Sequence, residues 1–140
     1  MGATPRGRLL LVEDEQLLRT LVAQFLRGEG FEVAEARDGP EGVDEFTDSG
    51  PFDLVLLDLN LPGFSGVEVC RRIKRENPEQ HVMICSAAIL HEHEVALNLM
   101  GVDHYLTKPY HPEDLLTHIA QEIGPCLELA PVRRPSLRSA

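Results

Sequence analysis

The sequence predicts an α/β fold built on a five-stranded parallel sheet, and three observations carry that prediction. Short aliphatic runs recur along the chain, among them Leu9-Leu10-Leu11-Val12, Leu54-Val55-Leu56-Leu57 and Val82-Met83-Ile84-Cys85. Continuous runs of this length suit strands covered on both faces, as parallel sheets require. Segments with helical spacing alternate with these runs, which is the pattern of right-handed strand–helix–strand units. Finally, 140 residues with 43% apolar and 26% charged content are enough chain for one ordinary globular core.

Taken in order, residues 9–12 form the first predicted strand. Leu17, Leu18, Leu21, Val22, Phe25 and Leu26 then recur at helical spacing until Gly28 and Gly30 stop the run. Phe31-Glu32-Val33-Ala34-Glu35 alternates instead, which suits a strand nearer a sheet edge. A short helix is expected to open at Pro40, carry Val43 and Phe46, and end by Gly50. After the strand at residues 54–57, Ser65-Gly66-Val67-Glu68 has capping-box spacing and opens a helix carrying Val69, Cys70 and Ile73. Asn77-Pro78 is its predicted end. The strand at 82–85 leads to a helix over residues 90–100, closed by Gly101. His104-Tyr105-Leu106-Thr107 is the fifth strand. The last helix opens at Pro112, carries Leu115, Leu116, Ile119 and Ile123, and is expected to stop at Gly124-Pro125.

Composition excludes several functions. No apolar run approaches the roughly 20 residues of a membrane span, and the apolar stretch at 9–12 is too short for a signal-peptide core. A cytoplasmic location with no membrane partner is the expectation. A net charge of −10 argues against direct DNA binding by this domain, because phosphate backbones would be repelled. Cys70, Cys85 and Cys126 show no metal-ligand spacing, so they read as small hydrophobes. His91 and His93 are two apart on a helix and diverge, which favours a solvated face over a shared metal. Residues 125–140, which include Arg133-Arg134-Pro135-Ser136, read as a flexible tail or truncated linker, and residues 1–7 as an N-terminal extension.

Open parallel sheets place ligands beyond the carboxyl ends of their strands. There the apolar pattern is interrupted by Glu13-Asp14, Asp58, Ser86 and Lys108. Three clustered carboxylates repel one another appreciably even at an effective dielectric of about 20. A hard divalent cation with oxygen ligands and several waters relieves that repulsion, and Lys108 adds a counter-charge. Carboxylate, ammonium and hydroxyl around such a cation suit phosphoryl transfer, where catalysis is mainly positioning and charge neutralisation.

Leu11-Val12-Glu13-Asp14-Glu15, then Leu56-Leu57-Asp58-Leu59-Asn60-Leu61-Pro62-Gly63-Phe64-Ser65-Gly66, Cys85-Ser86-Ala87, and Tyr105-Leu106-Thr107-Lys108-Pro109 closely resemble the receiver domains of response regulators in two-component phosphorelays. The resemblance covers residues 8–124, with every motif in order. It implies a doubly wound, flavodoxin-like (βα)5 fold with strand order 2-1-3-4-5. It implies that Asp58 accepts a phosphoryl group from a sensor histidine kinase or phosphotransfer protein. Asp14, Asp58 and the Asn60 backbone carbonyl would ligate Mg2+, or Mn2+ as a substitute, with Glu13 reaching the metal through water. Lys108 would pair with Asp58 and then with phosphoryl oxygens. Ser86 and Tyr105 would act as the switch, repacking the surface of the fourth helix, fifth strand and fifth helix. That surface would control an output domain or downstream protein, or form a phosphorylation-dependent homodimer. The Lys108-Pro109 bond would be cis. Such a domain catalyses only its own phosphorylation and dephosphorylation, without a separate turnover substrate.

Two details depart from the commonest form of the motifs. The first acidic pair is Glu-Asp rather than Asp-Asp, and serine takes the place of threonine at 86. By the same resemblance, Asn60 and Ala88 tune dephosphorylation. Of the competing readings, a Mg2+ phosphatase with a strand-end Asp nucleophile needs a second Asp two residues on, where this chain has Asn60. A docking module that is never phosphorylated has no use for the complete Glu13, Asp14, Asp58, Ser86 and Lys108 set.

Overall fold

A computed structural model describes residues 6–127, with side chains as far as residue 124. The expected tail beyond residue 127, its arginine-rich motif, the side chain of Cys126 and most of the N-terminal extension lie outside that span. Five parallel strands, β1 (Arg8–Val12), β2 (Glu32–Ala36), β3 (Leu54–Leu57), β4 (Val82–Ser86) and β5 (Tyr105–Thr107), form one sheet in the order β2-β1-β3-β4-β5. Helices α1 (Gln16–Gly28), α2 (Gly39–Ser49), α3 (Gly66–Glu76), α4 (His91–Leu99) and α5 (Pro112–Leu127) alternate with them. The alternating strand predicted near an edge is β2, which ends the sheet on one side.

Side-chain alternation along the strands divides the core into two layers. Leu10, Val12, Val55, Leu57 and Ile84 face Phe46, Val69, Ile73 and Leu97 of α2, α3 and α4. Leu9, Leu11, Leu54, Leu56 and Met83 face Val22, Ala23 and Leu26 of α1 and Leu115, Ile119 and Ile123 of α5. Both layers being dry explains why the central strands read as unbroken aliphatic runs. Cys70 and Cys85 belong to these layers as free, buried thiols, and burial raises them to about 11 and about 12.

Several helix ends differ in detail from the expectation. α2 begins at Gly39, because Asp38 caps it by accepting the Glu41 N–H at 2.8 Å. At α3, Ser65 Oγ accepts the Glu68 N–H at 3.3 Å, but the Glu68 carboxylate turns to Arg71 and Arg72, leaving the capping box half formed. α5 continues past Gly124-Pro125 to Leu127. Its docked face, with Leu115, Ile119 and Ile123 buried, holds the helix, and Pro125 falls only in its last turn. Leu17 and Leu21, counted in the apolar face of α1, are 68% and 55% exposed. Periodicity alone does not separate the core stripe from residues at its margin.

Gly66 is required by contact rather than by backbone angle. Its N–H donates to the Leu59 carbonyl at 2.9 Å, and a Cβ there would overlap the carbonyl oxygen of Asp58. Gly66→Ala is therefore expected to cost about 1–3 kcal/mol through overpacking and to displace the Asp58 backbone. A lowered thermal midpoint by calorimetry, beyond that of Val67→Ala on the same turn, is the expected reading.

Candidate functional site

The ladder that builds the sheet also places the rim. Val12 lies level with Ala36 on one side and Leu57 on the other, so β1, β2 and β3 end together. Ladder-like bonds run one residue past the strands: Glu13 N–H to the Ala36 carbonyl at 2.9 Å, Asp58 N–H to Val12 at 3.2 Å, and Lys108 N–H to Ser86 at 3.0 Å. The polar residues at the strand ends are thus fixed by backbone bonds before their side chains interact.

Asp58 sits at the centre and is 5% exposed. Its Oδ1 accepts the Ser86 hydroxyl at 3.0 Å and the Asn60 N–H at 3.1 Å, and its Oδ2 accepts Lys108 Nζ at 2.7 Å. Lys108 Nζ also reaches Glu13 Oε1 at 2.6 Å, so one ammonium bridges two buried carboxylates. The second oxygen of Glu13 accepts the Glu15 N–H at 3.1 Å. Burial raises the Glu13 carboxyl above its usual range and outweighs the Lys108 hydrogen bond and charge, which pull it down. For Lys108 the balance runs the other way. Burial disfavours its charge, but hydrogen bonds to Asp58 and Glu13 hold the ammonium above its ordinary value. The Lys108-Pro109 bond is cis.

Asp14 is exposed beside this pair, and one oxygen each from Glu13, Asp14 and Asp58 lie within 4.8 Å of one another. An all-oxygen donor set of three carboxylates, open to solvent at Asp14, fits a hard divalent cation. Asn60, Ala87 and Ala88 are exposed around the acceptor, while Ser86 is fully buried beneath it. The Ser86 hydroxyl touches Asp58 directly. Tyr105, the first residue of β5, packs against the α2–α4 layer, and its hydroxyl donates to Asn98 Oδ1 at 2.8 Å, on α4. Glu13, Asp14, Asp58, Asn60, Ser86 and Lys108 are thus together, while Tyr105 stands off on the α4 side.

Sequence reading missed the Glu13–Lys108 pair, which joins residues at opposite ends of the chain. It also missed a histidine–glutamate chain at the amino ends of β4 and β5. His81 Nδ1 and His104 Nδ1 meet the two Glu122 oxygens at 2.8 and 2.9 Å, and His104 Nε2 meets His118 Nδ1 at 2.8 Å. Only the four-residue spacing of His118 and Glu122 signalled it. His91 is solvent-exposed as expected, while His93 Nδ1 accepts the Leu90 N–H at 3.0 Å and caps α4.

Burial, then the charge on His104, lowers the His118 pKa below its usual value. Burial raises Glu122, yet its bonds to His81 and His104 prevail and leave it low. A depressed folded-state pKa gives stability that is present above the unfolded value and lost as pH falls through the folded one. For His118 that loss starts near pH ~6.5; for Glu122 it starts only near ~4.3. Between neutral pH and mildly acidic pH, the wild-type thermal midpoint is expected to fall more than that of His118→Gln. Equal declines would exclude His118 as the cause.

Comparison with known proteins comes to the same place. Residues 9–120 match the family described as the response regulator receiver domain. The sensory transduction protein RegX3 of Mycolicibacterium smegmatis is 41% identical over 111 residues, 79% of this chain and 48% of that protein. The DNA-binding response regulator MtrA of Mycobacterium tuberculosis is 38% identical over 117 residues, 83% of this chain and 50% of that protein. The chain therefore spans about half the length of the curated relatives it matches. Among solved structures, a CheY-like receiver domain protein from Methanospirillum hungatei superposes with a TM-score of 0.80 at 29% identity, covering 84% of this chain and 94% of that one. Response regulator TrrA of Thermotoga maritima, solved in complex with Mg(2+)-BeF, gives a TM-score of 0.70 at 31% identity, covering 81% and 96%.

Proposed function

The chain belongs to the response regulator receiver domain family, and from that premise we propose that Asp58 is its phosphoacceptor, with Glu13, Asp14 and the Asn60 carbonyl completing a Mg2+ site. Receiver domains of this family act in two-component signalling, and phosphorylation on aspartate with Mg2+ is characteristic of them; they are signalling proteins rather than metabolic enzymes. The observation that carries the residue assignment is the bridging of Asp58 by Ser86 Oγ and Lys108 Nζ within 3.0 Å, beside two further carboxylates. The Mg(2+)-BeF complex of TrrA supports it, since fluoride-coordinated beryllium has the tetrahedral shape of a phosphoryl group.

A carboxylate oxygen of Asp58 attacks the phosphorus of a phosphohistidine or small acyl phosphate. The bond from phosphorus to the donor breaks, leaving an aspartyl phosphate. Lys108 lies where it neutralises charge on the incoming oxygens, and the Ser86 hydroxyl lies where it donates to one of them. A divalent cation, Mg2+ or Mn2+, supplies further neutralisation when bound to the three carboxylates. Exposed Ala87 and Ala88 leave the approach to Asp58 uncrowded.

The phosphoryl group adds about −1.5 to −2 charges. Inverting a population of about 1% active form needs roughly 5.5 kcal/mol. Three charge-assisted bonds at about 2 kcal/mol each, within the usual range of about 1.5–3, supply that. The output surface is α4, β5 and α5. Val95 and Leu99 stand 47% and 84% exposed on α4, and Tyr105 ties β5 to that helix through Asn98. The partners are a sensor histidine kinase or phosphotransfer protein on the input side, and an output domain, downstream protein or second copy on the output side. The domain unit is residues 8–124. Among the described residues no helix is long and apolar enough to cross a membrane.

Incubation with acetyl phosphate and Mg2+, followed by intact mass, is expected to show a gain of one phosphoryl group that hydroxylamine removes. A gain that resists hydroxylamine would place the phosphate on a hydroxyl and overturn the reading.

A further inference from the structure

We propose that Arg19 is a positioning residue of the divalent-cation site, acting through the Glu13 carbonyl to aim Asp14. This rests on the reading of Glu13, Asp14 and Asp58 as a cation site. Arg19 stands one turn into α1 and reaches back over the loop, where its Nη1 donates to the Glu13 carbonyl oxygen at 2.8 Å. Its Nε lies 3.4 Å from Glu35 Oε1 on β2, and the other oxygen of Glu35 is 3.1 Å from Arg27 Nη1. Arg27 in turn donates to the Val33 carbonyl at 2.7 Å. The guanidinium is thus clamped at its far edge by β2, and its side chain is only 14% exposed.

The peptide that Arg19 holds is the one joining Glu13 to Asp14. Glu13 has anchors of its own, in Lys108 and the Glu15 N–H. The Asp14 carboxylate has none: among the described residues it makes no hydrogen bond and no ion pair. The backbone alone sets where its Cα–Cβ bond points, and the bond from Arg19 fixes the carbonyl on that side. Rotation of this peptide turns the Asp14 side chain away from Glu13 and Asp58, whose oxygens now share a 4.8 Å cluster with it.

The sign of the effect separates positioning from plain electrostatics. Arg19 brings a positive charge close to a cation site, so electrostatics alone predicts tighter cation binding when it is removed. Positioning predicts weaker binding, as loss of groups that orient ligands weakens metal sites about 10–100-fold. The test is titration of the whole chain with Mn2+, with free ion read by electron paramagnetic resonance. The variants are Arg19→Ala, Arg19→Gln, Glu35→Gln and Asp14→Asn, each checked by circular dichroism. Arg19→Ala is expected to bind Mn2+ about tenfold more weakly, Arg19→Gln to recover part of the loss through its amide donor, and Glu35→Gln to stay close to wild type. Unchanged or tighter binding in a folded Arg19→Ala or Arg19→Gln protein overturns the role of Arg19. So does an equal loss in Glu35→Gln, which would make the network a strap between α1 and β2. Failure of the wild type to bind Mn2+, or wild-type binding by Asp14→Asn, overturns instead the cation site on which the proposal rests.

Discussion

Lys108→Ala is expected to lose roughly 2–4 kcal/mol of stability in the absence of a divalent ion, and to slow phosphoryl uptake by about two orders of magnitude. Removing one partner of a buried ion pair costs about 3–5 kcal/mol, because the charge left behind has lost its hydration without compensation. Here one ammonium serves two carboxylates, Glu13 at 4% and Asp58 at 5% exposure. The lower figure allows for the ammonium side chain being 15% exposed. Two conditions return part of the loss. Mg2+ offers the carboxylates another counter-charge. Acidification does so by protonating Glu13, whose pKa is already raised by burial. A carboxyl with a raised folded pKa binds its proton more tightly when folded, so stability rises as pH falls through that value. The kinetic loss follows from removing one preformed donor to the developing phosphoryl charge, worth about 10²–10³ in comparable sites. Urea unfolding with and without Mg2+, and uptake from acetyl phosphate, measure the two effects. An unchanged urea midpoint in chelator would show that the bridge contributes nothing to the resting fold.

Asp14→Asn is expected to act oppositely on stability and on metal. With no hydrogen-bond or ion-pair partner among the described residues, the carboxylate stands beside the like charges of Glu13 and Asp58, which repel it. Its neutralisation should stabilise the chelated protein by on the order of 1 kcal/mol, reduced by solvent at this exposed position. The same change removes a ligand from the cation site. The Mg2+ concentration for half-maximal phosphorylation should rise about 10²-fold, at the upper end of what ligand-orienting groups contribute. Thermal midpoints in chelator and a Mg2+ titration of acetyl phosphate uptake check the pair. A destabilised variant with unchanged Mg2+ requirement would remove Asp14 from the site.

What could be read from the sequence, and what could not, divides by the range of the interaction. The central strands were legible because burial on both faces leaves apolar runs at residues 9–12, 54–57 and 82–85 of β1, β3 and β4. The rim was legible because Glu13-Asp14, Asp58, Ser86 and Lys108 each interrupt the pattern where a strand ends, and parallel order brings those ends together. Cap details were less so. Ser65 and Glu68 have the spacing of a capping box, yet Arg71 and Arg72 one turn on compete for the carboxylate. Leu17 and Leu21 carry helical periodicity while facing solvent, since periodicity reports a stripe but not its width. Least legible were links made by side chains that reach beyond their own element. The Lys108–Glu13 bridge, the contact of Arg19 with the loop it overlooks, and the His81–Glu122–His104–His118 chain all depend on side-chain reach. No local pattern encodes it.

The central claim is that Asp58 is the acceptor, and reduction of the phosphorylated protein with borohydride tests it most directly. Hydride converts an aspartyl phosphate to homoserine, so peptide mapping by mass spectrometry names the residue. Homoserine at position 58, formed only after incubation with phosphodonor and Mg2+ and absent from Asp58→Asn, is the predicted result. Homoserine at position 14, or labelling that persists in Asp58→Asn, would contradict it.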